Sequence, residues 1–361
     1  MKLGRVLIIV VVIVVIILVG LYAYEDLFQS QATPTAWSPA TNYPVQVGGT
    51  VAIAGQQCVT DGTYIYCIGG QDGNGGPRSE VYSSPAISST SDNITSWESQ
   101  TAYPEVINGQ ACVIYSGHIY CVGGSYDVGG DDVASSYYAN ATKGTVGIWN
   151  ATTAYPTPID SQSCVASAGY IYCVGGNNET DGTNADSITT GSVWFAQLSP
   201  SGIGNWTSTN SYPTNVFYPI CSAYDGYVYC VGGADVNNNP VSTAYYAPLS
   251  SSGVGAWTET TAYPEQESGL ACGVSSGYMY CVGGQGALNS YSNSVYAAPL
   301  SSSGIGNWKQ GSSYPNSVET SCVVTSSDLY CMGGFDSSAV GENGAVYYVS
   351  LTNLFNTSTA G

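Results

Sequence analysis

The side chains able to do chemistry in this chain are carboxylates and thiols, with little to accompany them. There are 24 Asp and Glu against five Lys and Arg and one histidine, for a net charge of −19. Six polar stretches each follow a Gly-Gly, and eleven acids fall in five of them: Asp72, Glu80, Asp127, Asp131, Asp132, Glu179, Asp181, Asp186, Asp235, Asp336 and Glu342. Carboxylates mixed with Asn and backbone oxygens are what hard cations take, so calcium is the cation that would suit these stretches. Asp72 to Gly76 (DGNGG) and Asn178 to Asp186 (NETDGTNAD) have the right donor types, though neither matches an EF-hand. No residue pattern requires a cofactor. Two carboxyls about 5–9 Å apart would also serve glycoside hydrolysis, but no pair stands out. Asp72, Asp127, Asp131, Asp132, Glu179, Asp181, Asp186, Asp235 and Asp336 are therefore read as binding residues, and no residue is assigned a catalytic role.

The thiols have a regular pattern. Twelve cysteines form six pairs nine positions apart: Cys58 with Cys67, Cys112 with Cys121, Cys164 with Cys173, Cys221 with Cys230, Cys272 with Cys281, and Cys322 with Cys331. In CVIYSGHIYCVGG (Cys112 to Gly124), Ser116-Gly117 is a two-residue hairpin turn flanked by strand-forming residues. Folding there pairs Tyr115 with His118 and, three pairs on, Cys112 with Cys121 at a non-hydrogen-bonded site, where side chains approach closest. That predicts a cross-strand disulfide in each hairpin, in an oxidising compartment. Zinc motifs bring their ligands closer in sequence and usually mix in histidine. His118, beside its turn, reads as a strand residue touching solvent.

These hairpins need elements to hold them. Met1 to Tyr24 reads as a membrane anchor: Lys2 and Arg5 precede 19 uncharged, mostly aliphatic residues from Val6. At about 1.5 Å per residue that run crosses a bilayer core as a helix. The alternative, a cleaved signal peptide, has a shorter apolar core and an A-x-A-like site, which only Leu21-Tyr22-Ala23 approaches. The basic end stays in the cytoplasm and the remainder outside. Residues 25–36 are a linker and 352–361 a tail. Between them a Trp followed six residues later by Tyr-Pro recurs, from Trp37 with Tyr43 to Trp308 with Tyr314. Each repeat then holds a stapled hairpin (strands A and B), an aromatic strand C and a Trp-bearing strand D, with first cysteines 50 to 57 residues apart. That period with four short strands signals propeller blades.

The pattern resembles the kelch-repeat family, whose blades carry a strand ending in Gly-Gly, then a Tyr, then a Trp. Gly123-Gly124, Tyr137-Tyr138 and Trp149 match it in the second repeat. The resemblance covers residues 37–351 and implies an all-β, six-bladed kelch-type propeller, with a disulfide that intracellular kelch domains lack. It implies no one function, because the fold hosts many. The chain opens with a D strand and ends with a C strand. The N-terminal strand is therefore expected to complete the last blade, that of Cys322, and hide two sheet edges. The B–C and D–A connections then share one face, and the A–B and C–D turns the other. With the anchor entering at the start of strand D, the B–C loops point away from the membrane.

Composition removes several functions. Beyond the anchor only Arg78, Lys143 and Lys309 are basic, a surface that repels nucleic acid and anionic membrane. A copper oxidase needs more than one histidine, a sialidase needs an arginine cluster, and Ser–His–Asp catalysis would have only His118 and no G-x-S-x-G elbow. Sequons at Asn93, Asn140, Asn150, Asn178, Asn205 and Asn356 are candidate glycan sites. The neutral polar surface would suit an acidic exterior. The reading is a single-pass cell-surface protein that recognises a glycan or protein ligand through its B–C face. A carboxylate-dependent carbohydrate-active enzyme and a structural component of the cell envelope are the alternatives.

Overall fold

A computed structural model of the chain describes residues 36–47, 50–51, 53–86, 94, 96–126, 131–178, 188–316, 318–336 and 341–355. The expected anchor, most of the linker, Asp127, Glu179, Asp181, Asp186, Asn93 and Asn356 lie outside these residues. Among the described residues no helix is long and apolar enough to cross a membrane.

The hairpin turns start each blade. Ser116-Gly117, Ala168-Gly169, Asp225-Gly226 and Ser276-Gly277 all take left-handed backbone at both positions, the turn whose twist matches paired strands. Blade 2 then pairs A (Ala111–Tyr115) with B (His118–Val122), B with C (Ser136–Thr142), and C with a two-residue D (Asn150–Ala151). Tyr115 faces His118 and Cys112 faces Cys121, the register expected from the turn. All six expected disulfides form. Cys58 is bonded to Cys67, Cys112 to Cys121 and Cys164 to Cys173. Cys221 is bonded to Cys230, Cys272 to Cys281 and Cys322 to Cys331. Their Cα atoms stand 4.0–4.1 Å apart. Blades 1, 3, 4 and 5 repeat the order, and each D strand begins immediately after its Trp.

The ring closes as the sequence requires. Ser38–Pro39 pairs with Gly341–Ser350, strand C of the blade of Cys322 (Ser38 to Tyr348, Pro39 to Tyr347). Six apolar clusters hold the ring, one at each seam between adjacent blades. Residues 352–355 extend that packing, since Leu354 is buried against blades 5 and 6.

The Trp and Tyr-Pro repeats are the outer clasp of these seams. Each Tyr packs edge-on against the Trp of the following blade at 4.9–5.1 Å, from Tyr43 on Trp97 round to Tyr314 on Trp37. Each Trp Nε1 donates back to a carbonyl of the preceding blade, as Trp149 does to Thr101 (3.1 Å). Such an aromatic pair is worth about 0.5–1.5 kcal/mol beyond its buried area.

A second contact locks the seam nearer the axis. The D–A connection sets one residue on the preceding blade's Gly-Gly: Ile53, Ile107, Ile159, Val216, Glu267 or Val318. In blades 1 to 5 the second glycine donates its N–H to that residue's carbonyl, as Gly124 does to Ile159 (2.8 Å). At Gly69 both constraints are plain: φ is +61°, and a β-carbon would stand 2.6 Å from the Ile107 carbonyl. Only glycine fits.

Candidate functional site

The A strands line the axis, and the first cysteine of every pair stands in the channel wall. The second cysteines, Cys67, Cys121, Cys173, Cys230, Cys281 and Cys331, are fully buried behind them. This cysteine collar divides the channel. Toward the A–B turns the wall is mainly apolar, with Val59, Val113, Val165 and Val324. Toward the B–C and D–A connections a cavity of about 270 Å³ opens, lined by amides, hydroxyls and two aromatic rings.

The mouth of this cavity is built from two repeat positions. One lies three residues before the first cysteine: Gly55, Gly109, Ser161, Tyr218, Gly269 and Glu319. The other follows the Gly-Gly and contributes Gln71 and Phe335. At the first position the backbone is left-handed in blades 1 to 5 (φ 64°, 64°, 53°, 49° and 60°), where glycine costs nothing. Tyr218 takes it nonetheless, a strained conformation for a bulky residue.

Tyr218 is 40% exposed, with its backbone N–H donated to the Ser161 carbonyl (2.8 Å). Burial of its hydroxyl end, then the charges of Asp160 and Glu319, push its pKa up. Glu319 reaches across the wall over blade 5, where a β-carbon on Gly269 would collide with its carboxylate. Burial there pushes Glu319 up to about 7. Asp160 accepts a hydrogen bond from the Ser161 hydroxyl (2.9 Å). A carboxyl poised near neutrality in a polar cleft can give or take a proton. Phe335 stacks on Tyr291 (6.4 Å between centroids) and offers a ring face at the rim.

Of the acids singled out in the sequence, the described ones, Asp72, Asp131, Asp132, Asp235 and Asp336, sit on the same face but not in this cavity. Asp72 is buried; its Oδ1 accepts from the N–H groups of Asn74 (2.9 Å) and Gly76 (3.2 Å), and Arg78 meets its Oδ2 at 3.1 Å. Asp235 caps its loop alike, accepting from Asn237 (2.8 Å) and Asn239 (2.9 Å), and those bonds hold its pKa low. Asp336 occupies the same position after Gly-Gly and is buried in the extended B strand of blade 6. Asp131 accepts the Tyr126 hydroxyl (2.9 Å), and Asp132 is buried beside it in sequence, bridged to Ser125. Among the described residues no three His, Cys, Asp or Glu side chains gather as a metal site. Among the sequons, Asn140, Asn150 and Asn205 are exposed, whereas the Asn178 amide is donated to the Pro158 carbonyl (2.5 Å).

Tyr218, Glu319 and Asp160 escaped the sequence reading. The signal was available in the offset from cysteine: at three positions before it, five blades have Gly, Ser or an acid, and one has Tyr.

The described residues thus make an all-β, six-bladed propeller with one disulfide per blade, a fold whose disulfides mark an oxidising environment. No protein-family model matches the chain, and no curated protein matches its sequence. Its fold matches solved structures, among them that of YjhT, at 14% identity over 87% of this chain and 96% of that one, with a TM-score of 0.65. At that identity the likeness carries the fold alone.

Proposed function

We propose that the chain is a cell-surface recognition propeller, anchored by its N-terminal segment, that binds a glycan at the channel mouth on the B–C face. The observation that carries this reading is Tyr218, whose ring is held at the mouth in a left-handed conformation that its counterparts leave to Gly or Ser. Strain of this kind persists where the surrounding structure enforces it, and it clusters at ligand sites. The lining chemistry suits a sugar: amides and hydroxyls from Gln57, Asn108 and Thr320 bond to hydroxyl groups, and Tyr218 and Phe335 give ring faces. Exposed apolar side chains on the loops of the same face, Val236 (61%) and Leu288 (100%), widen the contact area. The test is a glycan-array screen of the full chain in detergent, with and without calcium. Binding that is lost on Tyr218→Gly is the expected result. An array without hits in either condition overturns the glycan assignment and leaves a protein ligand.

A second reading rests on Glu319. A carboxyl held at about 7 beside Tyr218 and Asp160 is equipped for acid–base chemistry on a bound sugar. Product release by the wild type, abolished in Glu319→Gln while binding persists, would make the protein an enzyme.

A further inference from the structure

Five of the six residues that sit on a Gly-Gly are Ile or Val, each at most 1% exposed. The sixth is Glu267, at the seam between blades 4 and 5, and it is only 6% exposed. Its backbone does what the others do, accepting from the Gly233 N–H (2.9 Å). Its side chain does not. The carboxyl lies against Gly284, on which the Leu270 side chain also packs, and its Oε2 has no protein hydrogen-bond partner. An ionised carboxylate buried without a counter-charge is costly enough that such groups keep a proton instead.

The neighbours make ionisation harder. Glu265, two residues earlier, is hydrogen-bonded to Glu267 and bears a like charge. Glu265 already accepts from three hydroxyls of blade 5: Ser292 (3.2 Å), Ser294 (2.9 Å) and Tyr296 (2.9 Å). With those donors already on Glu265, the hydrogen bond between the two carboxyls is one that a protonated Glu267 donates. The other titratable groups facing the pair are Tyr263 from the same connection and Tyr296 from strand C. Neither supplies positive charge. Burial, then the charge of Glu265, push Glu267 up to about 8.

We infer that Glu265 and Glu267 form a proton-binding joint between blades 4 and 5 that makes this propeller tightest in an acidic medium. The sign follows from linkage. A carboxyl raised from 4.5 unfolded to about 8 folded stabilises fully below about 4.5. That contribution is lost as pH rises toward 8. The joint does not depend on the channel ligand, so its fate and that of the glycan reading are separate.

The experiment is thermal unfolding of the full chain in detergent from pH 4 to pH 9, for the wild type, Glu267→Gln and Glu267→Val. Valine restores the residue type of the other seams, and glutamine keeps the shape without the charge. The wild-type Tm is expected to fall with rising pH, and the limb between about pH 7 and pH 8 to vanish in both variants. Hydrogen exchange localises the effect. At pH 8, the Gly233 amide should exchange about tenfold faster in the wild type than in Glu267→Gln, with the Gly124 amide unchanged. Persistence of the upper limb in Glu267→Gln overturns the inference. So does calcium that restores the wild-type Tm at pH 8 but not that of Glu267→Val, because a hard cation would then occupy the joint.

Discussion

The outer rim and the channel mouth are made by the same six repeats, yet they obey different rules. At the rim every blade offers the same Tyr, the same Trp and the same Nε1 hydrogen bond. At the mouth one register position holds Gly, Gly, Ser, Tyr, Gly and Glu. Uniformity answers to packing, since each seam must close at the same angle for six blades to meet. Variation at such a position is free of that packing demand, as the proposed ligand site requires.

The contrast can be broken at several points. The largest effect belongs to the rim: Trp149→Ala should cost about 3–5 kcal/mol in urea unfolding, as for buried aromatics generally. A loss under 1 kcal/mol would mean the clasps are decoration. Replacing Cys112 and Cys121 together by Ser should cost roughly 2–3 kcal/mol by the same measurement. At the mouth, Glu319→Gln should gain about 1–2 kcal/mol at pH 8 and nothing at pH 4. Its carboxyl, raised by burial to about 7, contributes fully below about 4.5 and loses that contribution by about 7. Tyr218→Gly should raise stability by about 1 kcal/mol while abolishing ligand binding. Stability and function would then part company at one residue. The smallest effect is at the surface: Arg78 meets Asp72 at 3.1 Å and Glu80 at 2.9 Å, yet it is a third exposed. Arg78→Ala should cost under about 1 kcal/mol.

The fold was legible because its determinants are local and repeated. Ser116-Gly117 sets a register, the register sets Cys112 opposite Cys121, and six copies set the blade number. Even the closure by Ser38–Pro39 followed from element order. The site was less legible, because acids in loops look alike in sequence. Asp72 and Asp235 cap their own turns, work that any Asx residue can do, and nothing in their spacing separates that from ligand binding. Tyr218 and Glu319 matter through an axis on which distant positions converge, and only their shared offset from the first cysteine of each pair announces it. Glu267 stands five residues before its cysteine, as Ile53, Ile107, Ile159 and Val216 do, but that the position rests on a Gly-Gly shows only in the contacts between blades.

The pairing of Ser38–Pro39 with the last C strand also sets a clock. The Trp37 indole donates to Ser312, 275 positions later (3.1 Å), so the first of the propeller's described strands is the last to find its partner. Until Gly341–Ser350 is in place the propeller is an open arc, with unpaired strand edges at both ends. Its final blade joins the two ends of the propeller, Ser38–Pro39 and Gly341–Ser350. A chain cut short anywhere before Tyr348 has no partner for its opening strand, and exposes that failure as an edge that quality-control proteases can read.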